Sequence, residues 1–193
     1  MNLDENFATS LKKFDTGDLI FFSGNNPIEI AIKFFTGCNM THVGLIIKEN
    51  DILYVWESDI GQKHREGPRI ITLDDKLKYW HGFHNIAWKK YIPEDSVTGI
   101  SKRPSANQVL RIVDKYVNLP FNDNLYEWFF NLNSNKNNIP ESLFCSSLVA
   151  ITLIELGILN KKMHPITWWS PAQFLRDFQT SRGKYDQPLF FVY

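Results

Sequence analysis

The chain has 193 residues, and 44% of them are hydrophobic, which suits one globular domain with a sizeable core. Its 21 basic and 21 acidic side chains cancel, so the composition indicates neither a nucleic-acid-binding protein nor one that binds an anionic membrane surface. The N-terminal segment lacks the basic-then-apolar pattern of a signal peptide, and no apolar run approaches the roughly 18 residues of a membrane span. We therefore predict a single soluble domain over residues 1–193, located in the cytoplasm, and leave its oligomeric state open.

Helix and strand signals alternate in the first half of the chain. Apolar side chains at steps of four, four and three residues predict a short docking helix within residues 1–14. Asn26, Pro27 and Glu29 have the spacing of an N-terminal helix cap. The helix that they begin is predicted to end before Gly37. β-rich runs predict five strands, with a helical turn between the last two. The strands are Asp18–Phe22, Val43–Ile47, Ile52–Trp56, Pro68–Thr72 and Asn85–Tyr91, and the helical turn is Leu73–Trp80.

The second half of the chain is predicted to be mainly helical. Ser105 and Gln108 suit a capping box, and the apolar residues that follow form one face of a helix over Ser105–Val117. An exposed loop rich in Asn, Ser and Lys is predicted at Asn131–Asn138. The remaining elements are the helix that contains Cys145 and ends at Gly157, a short helix capped by Ser170, and a strand at Leu189–Tyr193. We predict an α+β fold in which an antiparallel sheet packs against helices.

Cys145 is the candidate nucleophile. A single Cys in an apolar helix is most often a small buried hydrophobic residue, and that interpretation competes with a catalytic one. Pro140 and Glu141 predict that the helix begins a few residues upstream, which places the thiol in or near the first turn. There the unpaired backbone N–H groups and the helix dipole favour a thiolate, and the same N–H groups point to where an oxyanion forms.

His42 and Glu57 are the candidate partners of this thiol. His42 lies where a loop enters an apolar strand, and an imidazole there can take a proton from a thiol and return it to a leaving group. If the two strands around the polar turn Lys48–Asp51 form a hairpin, Glu57, at the end of the second strand, lies beside His42 across the pair. Its carboxylate would then orient the imidazole, although a structural histidine and a surface carboxylate are the commoner roles of such residues.

Other residues that carry chemistry are weaker candidates. Two cysteines are too few for a disulfide scaffold, and their spacing does not suit a zinc finger, so we predict no metal site. Cys38 could approach Cys145 as a redox partner, but this is a minor alternative. The rest are expected to be structural or solvated: His64, His81 and His84 at the surface, Asp18 at a turn or strand start, and Trp168 and Trp169 in the core rather than in an acyl groove.

Several of these motifs, taken in order, resemble the NlpC/P60 superfamily of papain-like cysteine peptidases and acyltransferases. Because the order is His, Glu, Cys, the chain resembles the circularly permuted branch, which includes YiiX-like and lecithin:retinol acyltransferase-like proteins. The resemblance covers roughly residues 14–177. The matching stretches are Gly17–Phe22 and His42–Ile47 for the strand motifs, Phe144–Val149 for the Cys motif, Leu119–Asn122 for the Pro-Tyr-Asp stretch and Ser170-Pro171 for the late helix start.

The resemblance implies a permuted papain-like fold and a cysteine hydrolase or acyltransferase that needs no metal or organic cofactor. It implies Cys145 as nucleophile, His42 as base and Glu57 as the orienting residue for reaction at an amide or ester bond. The substrate stays open between cell-wall-type or other peptide amides, amide-linked amino acids and lipid esters. Two departures favour the alternative of a catalytically silent binding or structural protein that retains the fold. Ser147 stands where YiiX-like members often have Glu, and Phe121 stands where they tend to have Tyr.

Overall fold

An antiparallel sheet of six strands forms the centre of the structure. The computed structural model describes residues 5–60, 66–79, 85–94, 103–122 and 141–192. The strands are β1 (Leu19–Phe22), β2 (His42–Glu49), β3 (Ile52–Asp59), β4 (Gly67–Thr72), β5 (Asn85–Lys89), β6 (Tyr91–Ile92), β7 (Lys184–Tyr185) and β8 (Leu189–Val192). The main sheet has the spatial order β4-β3-β2-β1-β5-β8, and β6 pairs with β7 in a small second sheet.

Helices pack against both faces of the main sheet. They are α1 (Glu5–Leu11), α2 (Pro27–Thr36), α3 (Leu73–Tyr79), α4 (Ala106–Tyr116), α5 (Cys145–Glu155) and α6 (Pro171–Leu175), with a 3-10 turn at Ile166–Trp168. Residues of α4 and α5 join the core on one face, and residues of α1 and α3 join the core on the other. Within the described ranges, no helix is long and apolar enough to cross a membrane. The predicted α+β architecture is confirmed.

The β1 strand contributes side chains to both halves of the core. Leu19 and Phe21 belong to the cluster on the α4–α5 face, whereas Ile20 and Phe22 belong to the cluster on the α1–α3 face. This split follows from the alternation of side chains along a strand. Among the described residues, most aromatic side chains belong to this core or pack against it. The fully buried rings include Phe7, Phe14, Phe21, Phe22, Trp56, Tyr91 and Phe174.

The hairpin predicted between β2 and β3 is present and is longer than the sequence indicated. Asn50 and Asp51 form its turn with φ angles of 49° and 62°, in the left-handed region that Asn and Asp adopt more readily than other non-glycine residues. The prediction that Glu57 ends its strand is wrong. Pairing with β4 continues as far as Asp59, so Glu57 lies inside β3.

Asp18 links β1 to the neighbouring β5–β6 segment, in the structural role predicted for it. The side chain is fully buried. Its Oδ1 accepts hydrogen bonds from the Tyr91 backbone N–H at 2.9 Å and from Arg103 Nη1 at 2.6 Å, and its Oδ2 accepts from Trp88 Nε1 at 2.9 Å. Burial raises the pKa of Asp18 despite these donors. The carboxyl group is therefore part of the core architecture.

Gly44 lies where β2 comes closest to β3. A Cβ at this position would lie 2.4 Å from Cγ1 of Val55 and 3.6 Å from Cβ of Glu57. Val55 is fully buried and β-branched, so its side chain has little freedom to move away. The Gly44→Ala variant is expected to lose about 1–3 kcal/mol of its free energy of unfolding, measured as a lower urea midpoint. Adding Val55→Ala should recover part of the loss, and strictly additive effects of the two changes would contradict this explanation.

Candidate active site

His42 and Glu57 are in direct contact between β2 and β3. His42 is the first residue of β2 and its side chain is 7% exposed, while the Glu57 side chain is fully buried. Nε2 of His42 lies 2.8 Å from Oε2 of Glu57. The strand register pairs Leu45 with Trp56. Continued by one residue, that register sets Glu57 opposite Gly44, so the carboxylate reaches His42 diagonally rather than directly across the pair.

Three further charged side chains, which sequence reasoning missed, surround the Glu57 carboxylate. Arg69 of β4 donates from Nε at 3.1 Å and from Nη2 at 2.8 Å to Oε1 of Glu57, and Nη2 also lies 2.8 Å from Oδ2 of Asp59. Lys76 of α3 places Nζ 2.7 Å from Oε2 and 2.9 Å from Oε1 of Glu57. The same Nζ is 2.9 Å from Oδ2 of Asp59. The carboxylates of Glu57 and Asp59 are therefore paired with the cations Arg69 and Lys76 next to His42.

The charges of this network influence the protonation of His42 and Glu57. Burial and the Lys76 charge both act to lower the pKa of His42, but Cys145 and Glu57 outweigh them and raise it to about 9. Burial acts to raise the pKa of Glu57, but Lys76, His42 and Arg69 together hold it well below its usual range. Near neutral pH the pair is therefore an imidazolium beside a carboxylate.

Cys145 is the first residue of α5 and is half-buried. Its thiol is one of the groups that raise the pKa of His42. The prediction that this helix begins a few residues upstream is wrong, because Phe144 is the N-cap and has an extended backbone. Phe144 supplies no side-chain cap to the first turn. The thiol therefore lies at the helix start itself, where backbone N–H groups and the helix dipole favour an anion.

Tertiary contacts hold the segment before α5 in an extended form. Leu143 forms an isolated parallel bridge with Phe121, and its N–H donates to the Pro120 carbonyl at 3.0 Å. The Leu143 carbonyl accepts a hydrogen bond from Ser58 Oγ at 2.7 Å. The rings of Phe121 and Phe144 meet edge to face with centroids 5.9 Å apart. Phe121 thus packs against the start of α5, where its ring fills space but offers no hydroxyl.

The remaining sequence candidates are structural or lie outside the described residues. Cys38 and Cys145 are both free thiols. Trp169 is buried in the core and Trp168 packs against it, as predicted. Ser147 is buried, and within the described part of the chain its hydroxyl has no hydrogen-bond partner. Predictions that fall outside the described residues are those for His64, His81, His84 and the Asn131–Asn138 loop.

His42, Glu57 and Asp59 offer one imidazole and two carboxylates, a donor set that divalent metals bind. Their ligand atoms all lie within 4.8 Å of one another. However, Nζ of Lys76 already lies within hydrogen-bond distance of both carboxylates. A metal ion would have to displace this ammonium group. The residues as they stand therefore do not fit a resident metal.

Comparison with known proteins finds one solved structure with a similar fold and one protein with a similar sequence. No family model matches the sequence. An uncharacterized protein of Acanthamoeba polyphaga mimivirus is 30% identical over 99 residues, which cover 42% of this chain and 40% of that protein. The chain thus matches less than half the length of this relative. The crystal structure of YiiX from Escherichia coli, which is described as a metalloprotein, is similar with a TM-score of 0.55 and 15% identity over 89% of this chain and 96% of YiiX. The chain has a YiiX-like fold.

Proposed function

We propose that the chain is a cysteine-dependent hydrolase or acyltransferase that acts on an amide or ester bond. The observation that carries the proposal is the buried pair of His42 and Glu57, in which Nε2 of the ring lies 2.8 Å from Oε2 of the carboxylate. Cys145, at the start of α5, is among the groups that raise the pKa of this His42. The YiiX-like fold supports this proposal, since it is of the papain-like NlpC/P60 type.

In the proposed reaction His42 transfers a proton in each half of the cycle. Glu57 holds the ring through Nε2, so Nδ1 receives the proton of Cys145. The thiolate attacks the carbonyl carbon, a C–S bond forms, and the carbonyl oxygen becomes an oxyanion. When this intermediate collapses, the C–N or C–O bond breaks and His42 protonates the leaving amine or alcohol. Water, or an acceptor alcohol or amine, then attacks the thioester and passes a proton to His42, and the C–S bond breaks to restore the Cys145 thiolate.

The start of α5 is the proposed oxyanion site. Cys145 is the first helical residue, and no side chain caps the first turn. Backbone N–H groups at a helix start are orphan donors, and together with the helix dipole they stabilise a developing negative charge. Phe121, which stands where the family tends to have Tyr, packs on Phe144 and supplies no side-chain donor. The proposal therefore assigns oxyanion stabilisation to backbone groups.

The substrate class is proposed to be an apolar acyl compound, with peptide amides as the alternative. The aromatic composition does not bear on this choice, because the rings serve mainly the core. Helix α2 precedes His42 in the chain and contributes no buried residue. Ile30, Phe34 and Phe35 on this helix are 55%, 82% and 57% exposed, and such a surface favours a partner with apolar groups.

A catalytically silent binding protein is the second candidate function. Its support is the loss of a hydroxyl at Phe121 and of a carboxylate at Ser147, relative to the family pattern. The Ser147 hydroxyl is buried without a hydrogen-bond partner among the described residues, so it contributes no contact to His42 or Cys145 there. A metal-dependent variant of the fold, such as the description of YiiX suggests, is disfavoured here because Lys76 occupies the space between the two carboxylates.

A substrate screen with covalent trapping tests the proposal. Wild type, Cys145→Ala and the matched Cys38→Ala variant are incubated with peptide amides, lipid esters and acyl-amino acids, and products and intact protein masses are measured. We expect turnover, and a mass increase in which an acyl group replaces the thiol hydrogen, in wild type and Cys38→Ala but not in Cys145→Ala. Equal turnover by wild type and Cys145→Ala, or no adduct with any of the three classes, would favour the binding protein instead.

A further inference from the structure

We propose that the ammonium group of Lys76 occupies the position that a metal ion could take between His42, Glu57 and Asp59. Lys76 is also a positioning residue for His42. In this role Lys76 acts through Glu57, whose carboxylate it holds in place against the imidazole. The positioning role rests on the proposed function, because it matters to a reaction only if His42 is the base. The occupation of a cation position by Lys76 does not depend on that function.

The contacts of Lys76 are those of a bound cation rather than of a surface lysine. Its side chain is 1% exposed. Nζ lies 2.7 Å from Oε2 and 2.9 Å from Oε1 of Glu57, and 2.9 Å from Oδ2 of Asp59. It also lies 5.4 Å from the centroid of the Phe22 ring, within the range of a cation–π contact. A buried lysine is stable only when its charge is paired in this way.

If Lys76 were absent, the position of its ammonium group would suit a divalent metal ion. The ligand atoms of His42, Glu57 and Asp59 lie within 4.8 Å of one another, and imidazole and carboxylate are common metal ligands. The two carboxylates are already paired with Lys76 and Arg69. A divalent ion added to this network would leave excess positive charge in a buried site, where unpaired charge is costly. Removal of Lys76 opens the space and takes away one positive charge, and a metal ion that binds there displaces the proton of the His42 ring.

The positioning role follows from a shared oxygen atom. Oε2 of Glu57 is 2.8 Å from Nε2 of His42 and 2.7 Å from Nζ of Lys76. Oε1, the other oxygen, is held by Arg69. With each oxygen fixed by a cation, the carboxylate has one orientation in which it can meet the imidazole. Without Lys76, His42 would be the one cationic partner left on Oε2 among the residues that the structure describes.

Cobalt binding tests this inference without any need for turnover. Lys76→Ala is prepared in a Cys145→Ser background, beside the Cys145→Ser protein itself and a Lys78→Ala control on the same helix. Lys78 is 67% exposed and its nearest carboxylate, on Asp75, is 3.8 Å away. We expect Co²⁺ to form a one-to-one complex with visible d–d absorption bands only in the Lys76→Ala protein, and to raise the melting temperature of that protein alone.

Two results would overturn the inference. One is equal Co²⁺ binding by the parent and by Lys76→Ala. The other is the absence of binding by a Lys76→Ala protein that remains folded by far-ultraviolet circular dichroism. If Lys76→Ala unfolds, refolding with and without Co²⁺ or methylammonium decides the matter, since restoration of cooperative unfolding by either cation supports the inference and its absence opposes it. Failure of the substrate screen alone would remove the proposed reaction but leave the cation role of Lys76 intact.

Discussion

Replacing Glu57 with Gln is expected to lower the free energy of unfolding by about 3–5 kcal/mol, the usual cost of removing one partner from a buried ion pair. The Glu57 side chain is fully buried, and its two oxygens accept hydrogen bonds from Arg69, Lys76 and His42. Glutamine keeps the shape of the side chain but leaves the buried Lys76 and the partly buried Arg69 to share the single carboxylate of Asp59. For a protein of this size the loss corresponds to a fall of roughly 6–20 °C in melting temperature.

Glu49→Gln is the matched control for this measurement. Glu49 is the last residue of β2 and is exposed. Its replacement by Gln makes the same change from a carboxylate to an amide. Its effect on the free energy of unfolding should stay within about 0.5 kcal/mol. Urea denaturation of the three proteins gives the comparison. A loss below about 1 kcal/mol for Glu57→Gln would show that the network is worth no more than a surface ion pair.

The difference in free energy of unfolding between wild type and Glu57→Gln is expected to depend on pH. The pKa of Glu57 is lowered in the folded protein by Lys76, His42 and Arg69, which outweigh the opposing effect of burial. A carboxyl group of this kind stabilises the fold fully above its unfolded pKa and loses that contribution as the pH falls through the folded value. The stability difference between wild type and Glu57→Gln should therefore be largest above about pH 4.5, and it should shrink as the solution is made more acidic.

Much of the fold was predictable because its signals are local. The capping box of Asn26 and Glu29 and the helix end at Gly37 depend on neighbours in sequence, and the structure shows both. The contact of His42 with Glu57 was also predictable, since one hairpin brings the two residues together. The diagonal geometry was not, because the turn consists of Asn50 and Asp51 rather than the four residues Lys48–Asp51, and the shorter turn shifts the register by two residues.

The charged network next to His42 escaped sequence reasoning for a physical reason. Arg69 and Lys76 come from β4 and α3, and only tertiary packing decides which carboxylates they meet. One signal was available in the sequence. Glu57 and Asp59 are two positions apart in one strand, so their side chains point to the same face. Two carboxylates on one face of a buried strand require nearby cations. That pattern indicates the need for Arg69 and Lys76 but not their positions in the sequence.

The start of α5 shows how tertiary contacts override local helix signals. Pro140 and Glu141 favour an early start, yet the structure begins the helix at Cys145. Leu143 instead forms a β-bridge with Phe121, and its carbonyl accepts a hydrogen bond from the Ser58 hydroxyl. These contacts need an extended backbone, which a helix through Leu143 would remove. As a result, the thiol lies at the helix start and beside His42.

Replacing His42 with Ala is expected to slow the alkylation of Cys145 by iodoacetamide about 10- to 100-fold at pH 6.5. The pKa of His42 is raised to about 9, with Cys145 and Glu57 outweighing burial and Lys76, so the ring is protonated at this pH and attracts a thiolate. An ordinary thiol has a pKa of about 8.5 and is only about 1% ionised at pH 6.5. Because the imidazolium loses its proton as the pH rises through 9, the difference between the two proteins should narrow toward alkaline pH.

Cys38 provides the reference thiol within the same molecules. It is half-buried like Cys145, but it follows the end of α2 instead of starting a helix. Peptide mass spectrometry after timed alkylation between pH 5 and 10 gives separate rates for the two thiols. The His42→Ala change should leave the Cys38 rate unaltered while it lowers the Cys145 rate. If Cys145 in the wild type reacts no faster than Cys38 across this range, then the contact with His42 does not activate the thiol and the catalytic proposal fails, because an unactivated thiol is largely protonated at neutral pH and cannot serve as the nucleophile.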